Sequence, residues 1–346
     1  MTSSPQLTII IATYDRFELL NKCLSSVRTS LLQSPIDAYL KLVLNGEVLS
    51  ESLQKKIQSY ASDRLSIELV SLPSRVRPAQ GRNVLLQTVA TPWILFLDDD
   101  VQVPENFFST FTQLCTQYPE MNVLGGPNLT PPNGPSTADL TGWILQESCI
   151  VGPVAGRYKK PDGTKNSVGD QFNLMLCNLF VERTLWPEIQ FDGTLVTAEE
   201  NHLLYELKRR SFKMLSTPEL FVWHERRSTL QKFMWQIFYY GVGRGQILTR
   251  FIVLENIALF FAPLLIAFCA VYYFIPFIII LAALQVAIQM RYFAAHRRLS
   301  FKVGFYSFAL WFFYGAGLIK GIFKTLWAQL KTLHQSFALL YRQNHG

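Results

Sequence analysis

From Asn256 to Ile288 the chain carries no charged residue across 33 positions, a run that a water-soluble fold has no way to display. As one helix rising ~1.5 Å per residue it would measure about 50 Å, too long for a single crossing of a ~30 Å hydrocarbon core. Pro276 sits just past its middle, so the run predicts a helical hairpin over 256–290 with a tight turn at that proline. Arg250 and the group Arg291, Arg297 and Arg298 then fall on one side, which the positive-inside rule makes the cytoplasmic one. A second uncharged, aromatic-rich run, Val303 to Ile319, marks a further segment over 303–323. Lys320, Lys324 and Lys331 follow it, so two crossings and three both fit. The remainder, 326–346, reads as an amphipathic basic tail.

Charge is divided as sharply as hydropathy. The 346 residues carry a formal net charge of +7 with only 16% charged side chains, yet His224 to Gly346 holds thirteen Lys/Arg against two Asp/Glu. The first 223 residues are left with 19 basic and 23 acidic groups, a net of −4. A nucleic-acid interface needs basic residues interleaved on soluble surface, whereas here they flank hydrocarbon-length segments, so membrane lipid is the expected partner and nucleic acid is not. No cationic and apolar stretch of signal-peptide type precedes Leu7, so the acidic front portion is expected on the cytoplasmic side. Cys23, Cys115, Cys149, Cys177 and Cys269 show no C-x-x-C pair and no metal spacing, as suits free thiols in a reducing compartment.

The first hundred residues alternate strand and helix. Leu7–Ala12 is a continuous apolar run of the kind buried on both faces of a sheet, and Phe17, Leu20, Leu24, Val27 and Leu31 recur at helical spacing. Strands are expected over 39–44, 65–72 and 93–97, with helices over 51–61 and 77–90. Short connections of this kind imply a mostly parallel α/β sheet with right-handed crossovers, and ligands on such sheets bind beyond the carboxyl ends of the strands. Residues 126–170, rich in Gly and Pro, read as a loose functional flap. Strands over 174–180 and 220–224 and a helix over 197–210 complete the front portion. The aromatic and basic stretch 228–250 suits a helix lying at a bilayer interface.

Leu97-Asp98-Asp99-Asp100 is the strongest chemical signal. Alternate side chains of a strand share a face, so Asp98 and Asp100 point together into the crevice at its end. Carboxylates crowded at one point repel unless a cation neutralises them, and a hard divalent cation, Mg²⁺ or Mn²⁺, is the natural partner for oxygen ligands. An acidic turn with no ligand is the competing explanation; the buried apolar strand leading into it favours the site.

Several motifs in order make residues 7–245 resemble an inverting family 2 glycosyltransferase of the GT-A fold. Ile9-Ile10-Ile11-Ala12-Thr13-Tyr14-Asp15-Arg16 resembles the first strand and nucleotide-binding turn, with Ala12 where the family usually has Pro. Gly81-Arg82-Asn83 resembles the segment before the fourth strand, and Asp98-x-Asp100 the metal and nucleotide motif. Asn178 with Phe191-Asp192 resembles the route to the acceptor site. Ala198-Glu199-Glu200 resembles the Glu-Asp pair whose second acid is the base. Val222-Trp223-His224 resembles a strand ending in a metal-ligating histidine, and Tyr240-Gly241-x-Gly243-Arg244 a basic loop near the diphosphate. Two departures stand out: Leu44 occupies the place of the Asp that reads the base, with Asn45 beside it, and the acidic pair is Glu-Glu.

The resemblance implies a cytoplasmic GT-A catalytic domain over 1–225, an interfacial segment over 226–254, and transmembrane helices over 255–325. It implies metal ligands Asp98, Asp100 and His224, with Glu200 as base. Nucleotide-sugar contacts are implied at Ala12, Thr13, Tyr14, Arg16, Asn45, Arg82, Asp98, Asp99 and Arg244. The expected activity is sugar transfer from a nucleotide diphosphate donor, with inversion, to a lipid-linked or membrane-associated acceptor of cell-surface glycan synthesis at the cytoplasmic membrane. Two other classes compete. A nucleotide-sugar-binding scaffold without turnover has no need of Asp98, Asp100, Glu200 and His224 together, and a transport component would carry intramembrane charge, which 256–288 lacks. The helix start at 197–200 also has capping-box spacing, so Glu200 is either a cap or a base.

Overall fold

The computed structural model describes residues 7–46, 49–132, 136–160, 166–183, 190–248, 274–296 and 301–345. The chain divides into two compact units, Met1–Thr194 with Glu199–Ser228, and Leu195–Ala198 with Thr229–Gly346.

The first unit begins β1 (Leu7–Thr13), α1 (Phe17–Leu32), β2 (Ala38–Asn45), α2 (Glu51–Gln58), β3 (Leu65–Leu72), α3 (Pro78–Leu86) and β4 (Trp93–Asp98). It continues through β5 (Val101–Gln102), α4 (Phe107–Gln117), β6 (Val123–Gly125), β7 (Asn128–Leu129), α5 (Ser136–Gln146), α6 (Ser148–Val151) and a 3₁₀ turn, Gly152–Arg157. β8 (Ser167–Val168), β9 (Asn178–Glu182), α7 (Glu199–Arg209), β10 (Met214–Ser216) and β11 (Val222–His224) close it. An eight-stranded sheet runs in the order β3-β2-β1-β4-β9-β6-β10-β8, and β5-β11-β7 forms a second sheet of three.

β3, β2, β1 and β4 are mutually parallel, as the strand-helix alternation predicts. Leu7, Ile9, Ile10 and Ile11 are fully buried, because helices cover both faces. β9 then runs antiparallel between β4 and β6, so the sheet is mixed beyond its parallel core. Its anchor is aromatic: Phe180 of β9 stacks on Phe111 of α4 at 4.0 Å, and Phe111 meets Trp93 of β4 edge to face.

Two expectations need correcting. The strand expected over 174–180 begins only at Asn178, since Leu174–Cys177 are buried without pairing in a sheet. The stretch 126–170 is more ordered than a flap, carrying α5, α6 and the 3₁₀ turn, with Thr141, Ile144 and Ala155 buried. Among its described residues, Gly152 and Pro153 mark the passage from α6 to the 3₁₀ turn rather than one long loop.

The second unit comprises α8 (Leu230–Leu248), α9 (Phe274–His296) and α10 (Phe301–His345). α8 and α10 pack at backbone distance because glycines meet there. A Cβ on Gly241 would strike the Tyr314 carbonyl, and one on Gly317 the Phe238 carbonyl. Small residues four apart, Gly241 with Gly245 and Gly317 with Gly321, are what allow this approach. Ile275–His296 and Lys302–Thr332 are long and apolar enough to cross a membrane. Ile275 is 71% exposed and Phe312 74%, so neither is a buried core helix, and the unit is membrane-associated. Pro276 lies within α9, two residues after its first described residue. The first limb of the expected hairpin, 256–273, lies outside the described residues.

Candidate active site

The parallel register sets Ala12 of β1 beside Asp98 of β4 and Thr13 beside Leu44 of β2, so three strands end at one edge. After Asp98 the chain turns and enters β5, which pairs with β11 and brings His224 opposite Val101. The Glu225 N–H donates to the Asp100 carbonyl at 3.0 Å and fixes the turn against that strand.

Four side chains gather on Asp99 and Asp100. Thr13 Oγ1 donates to Asp99 Oδ2 at 2.7 Å. One guanidinium nitrogen of Arg16 reaches Asp99 Oδ1 at 3.2 Å and Asp100 Oδ2 at 2.9 Å. His224 Nε2 lies 2.9 Å from Asp100 Oδ1, and Arg227 stands 3.7 Å from Asp100 Oδ2. Burial pushes the Asp99 carboxyl up to about 6, with the Asp100 charge adding to it against Thr13 and Arg16. Burial also opposes ionisation of Asp100, but His224, Arg16 and Arg227 outweigh it and hold that carboxyl far below its ordinary value. Two adjacent carboxylates thus differ because only one has the histidine.

Asp98 is tied to a second acidic group. Arg82, buried on α3, donates through Nη2 to Asp98 at 2.6 Å and through Nη1 to Glu199 at 2.9 Å. Burial pushes Glu199 upward despite Arg82, and Glu200 next to it adds to the shift. Glu200 turns to a different cation: its Oε1 accepts from Arg157 at 3.1 Å and from Asn201 Nδ2 at 2.9 Å. Arg157 also donates to Asn201 Oδ1 at 2.7 Å and to the Gln171 carbonyl. Ala198 adopts φ +67, a left-handed conformation costly for a residue with a Cβ, and the helix opens directly after it at Glu199. The capping-box spacing is therefore not used: Thr197 lies before that turn and donates its hydroxyl to the Tyr239 carbonyl.

Asp98, Asp100 and His224 offer ligand atoms that all lie within 4.8 Å of one another. Two carboxylates and one imidazole suit Mn²⁺ or Mg²⁺, and they surround a point at the mouth of the sheet. Asn128 Oδ1, an acceptor, lies 3.4 Å from His224 Nδ1 and takes 2.9 Å donation from Arg226. Asn128 and Arg226 thus flank Nδ1, the latter also at 3.4 Å, and Nε2 faces the cluster. The donor set therefore fits a divalent cation.

The remaining expected residues fall in two groups. Tyr14 is 39% exposed at the same edge, with the Arg75 guanidinium 4.1 Å above its ring centroid. Asn45 is buried, and its amide both donates to the Val76 carbonyl and accepts from the Val76 N–H, at 2.8 Å each. It shapes the 73–77 segment through those bonds. Arg244 lies buried on α8 of the second unit. Arg157 and Asn128 escaped the sequence reading because each stands beside Gly or Pro in a stretch with no periodicity.

A mostly parallel sheet whose central strand ends in an acidic triplet answered by a histidine is the arrangement of the GT-A fold. Residues 8–143 match the family model "Glycosyl transferase family 2", and the resemblance to that family spans those residues. Among solved structures, the mannosyltransferase PcManGT from Pyrobaculum calidifontis, in complex with GDP-Man and Mn²⁺, is 14% identical with a TM-score of 0.52. The similarity covers 94% of this chain and 88% of that one, and it shows a shared fold. TarS 1–349 of S. aureus, in complex with UDP-GlcNAc, is 13% identical with a TM-score of 0.46, covering 69% of this chain and 66% of that one. No curated protein matches the sequence.

Proposed function

We propose that this protein is a metal-dependent, inverting glycosyltransferase that moves a sugar from a nucleotide diphosphate donor to a lipid-linked acceptor at the cytoplasmic membrane face, in cell-surface glycan synthesis. The observation that carries this reading is the convergence of Asp98, Asp100 and His224 beside Thr13, with Arg82 joining Asp98 to Glu199. A nucleotide sugar bound by the mannosyltransferase neighbour makes the same donor class the natural candidate here. The apolar helices α9 and α10 support an acceptor that resides in the membrane.

In this reading Asp98, Asp100 and His224 hold Mn²⁺ or Mg²⁺, which when bound supplies Lewis-acid stabilisation of the departing diphosphate. Ala12, Thr13, Tyr14 and Asn45 frame the nucleoside at the ends of β1 and β2, with Tyr14 and Arg75 offering a flat face to the base. Arg82 fixes Asp98 for the ribose. Glu200 takes the proton of the acceptor hydroxyl as its oxygen bonds to the anomeric carbon. The bond from that carbon to the diphosphate oxygen breaks, and the electron pair leaves with the nucleoside diphosphate. Attack opposite the leaving group inverts the centre. Both contacts to Glu200 fall on Oε1, so Oε2 is the oxygen that accepts the proton.

The domain limits proposed are a catalytic domain over 1–225, an interfacial segment over 226–254 and a membrane region from 255. The test is nucleoside diphosphate release from a panel of UDP- and GDP-sugars, with membrane extract as acceptor. Release that requires both one donor sugar and the lipid fraction supports the reading. Release with no donor in the panel contradicts it, and donor binding without turnover would make the protein a scaffold.

A further inference from the structure

Both carboxylate oxygens of Asp100 are already occupied: Oδ1 faces His224 Nε2 at 2.9 Å, and Oδ2 accepts from Arg16 at 2.9 Å. A cation entering this cluster competes with both for the charge of Asp100. An imidazole nitrogen can ligate a cation, so His224, whose Nε2 faces the cluster, stays. A guanidinium has no lone pair to give, so Arg16 cannot join the cation as a ligand and opposes it by charge.

Arg16 is built to leave. It stands at the N-cap of α1 with φ −135 and ψ 43, outside the helix proper, and its side chain is 38% exposed. Its bond to Asp99 is the longer of its two, 3.2 Å. Arg82 differs on each point: its side chain is 6% exposed, lies within α3 and is bound to two carboxylates by separate nitrogens. Beside the more distant Arg227, the triplet therefore has one fixed counter-ion, Arg82, and one movable one, Arg16. A guanidinium released from two carboxylates is matched in geometry and charge to phosphate oxygens.

We propose that Arg16 is a competing counter-ion of the metal site. It neutralises Asp99 and Asp100 while the site is empty and moves to the donor's diphosphate when metal and nucleotide arrive together. The free protein then binds metal weakly, and metal and diphosphate favour each other's binding. This inference rests on the metal site proposed above.

The test uses the full chain in detergent. Free Mn²⁺ is counted by electron paramagnetic resonance during titration without nucleotide, and UDP and GDP affinities are measured at saturating Mn²⁺. Arg16→Gln is expected to bind Mn²⁺ about tenfold tighter than the wild type, the effect of removing one charge-assisted competitor, and to bind the diphosphates at least about tenfold more weakly. Mn²⁺ affinity equal to or below that of the wild type, or unchanged diphosphate affinity, overturns the proposal. If Arg16→Gln has no cooperative melting transition, Arg16→Lys decides: a smaller gain in Mn²⁺ affinity supports the proposal, and no gain overturns it. Asp100→Asn separates the two readings. Undiminished Mn²⁺ binding in that variant means the metal site itself is misplaced, whereas its loss beside an unchanged Arg16→Gln leaves the site standing and removes only the competition.

Discussion

His224 Nε2 meets Asp100 Oδ1 at 2.9 Å across 124 positions of sequence. The contact exists because β11 pairs antiparallel with β5, the short strand that follows the acidic turn. His224→Ala should weaken Mn²⁺ binding at least about tenfold, since one ligand of a preformed set is lost. The melting temperature should hardly move, because Arg16 and Arg227 still neutralise Asp100. Metal titration beside thermal melting measures both, and undiminished Mn²⁺ affinity would remove His224 from the site.

Glu200→Gln separates proton transfer from architecture. The amide oxygen can still accept from Arg157 and Asn201, so donor affinity should stay within a few-fold of wild type. Transfer should fall at least ~100-fold, the scale of lost general-base help. Transfer surviving within a few-fold would move the base to Glu199, whose carboxylate is already engaged by Arg82.

Arg157 offers a stability test in the same network. Arg157→Met leaves the mostly buried Glu200 carboxylate without its cation and the Asn201 and Gln171 oxygens without their donor. Losing one partner of such a pair costs about 3 kcal/mol. Denaturant unfolding followed by tryptophan fluorescence should show the midpoint shift, and a change below about 0.5 kcal/mol would mean that Glu200 is held by other groups.

How much of this was legible in the sequence depended on the range of the interaction. β1 to β4 were readable because a strand buried on both faces shows as an unbroken apolar run, and the crevice beyond them follows from parallel topology. The Asp98 to Asp100 turn was legible for the same reason. The division of labour between Glu199 and Glu200 was not, because it is decided by Arg82 and Arg157, 117 and 43 positions away respectively. Asn45 was visible as a candidate, but its bidentate bond to the Val76 backbone is a property of the folded loop. Residues 126–170 misled because Gly and Pro signal turns equally well between short helices and within loops.

In the second unit, Gly317→Val should destabilise α8 against α10. The new side chain would meet the Phe238 carbonyl, and overpacking of this kind costs about 1–3 kcal/mol. Gly315, with open space around its Cβ position, is the control: Gly315→Val should leave thermal stability in detergent nearly unchanged. Equal effects of the two substitutions would contradict the close packing.

The most direct measurement of the central claim is calorimetric titration of the full chain with UDP- and GDP-sugars, with and without Mn²⁺, in wild type and Asp100→Ala. One donor should bind the wild type at least about tenfold more tightly with metal, a difference of about 1.4 kcal/mol. Asp100→Ala should retain a cooperative melting transition and lose that metal-dependent gain. Metal-dependent binding that survives in Asp100→Ala would contradict the assignment of Asp98, Asp100 and His224 as the site where donor and cation meet.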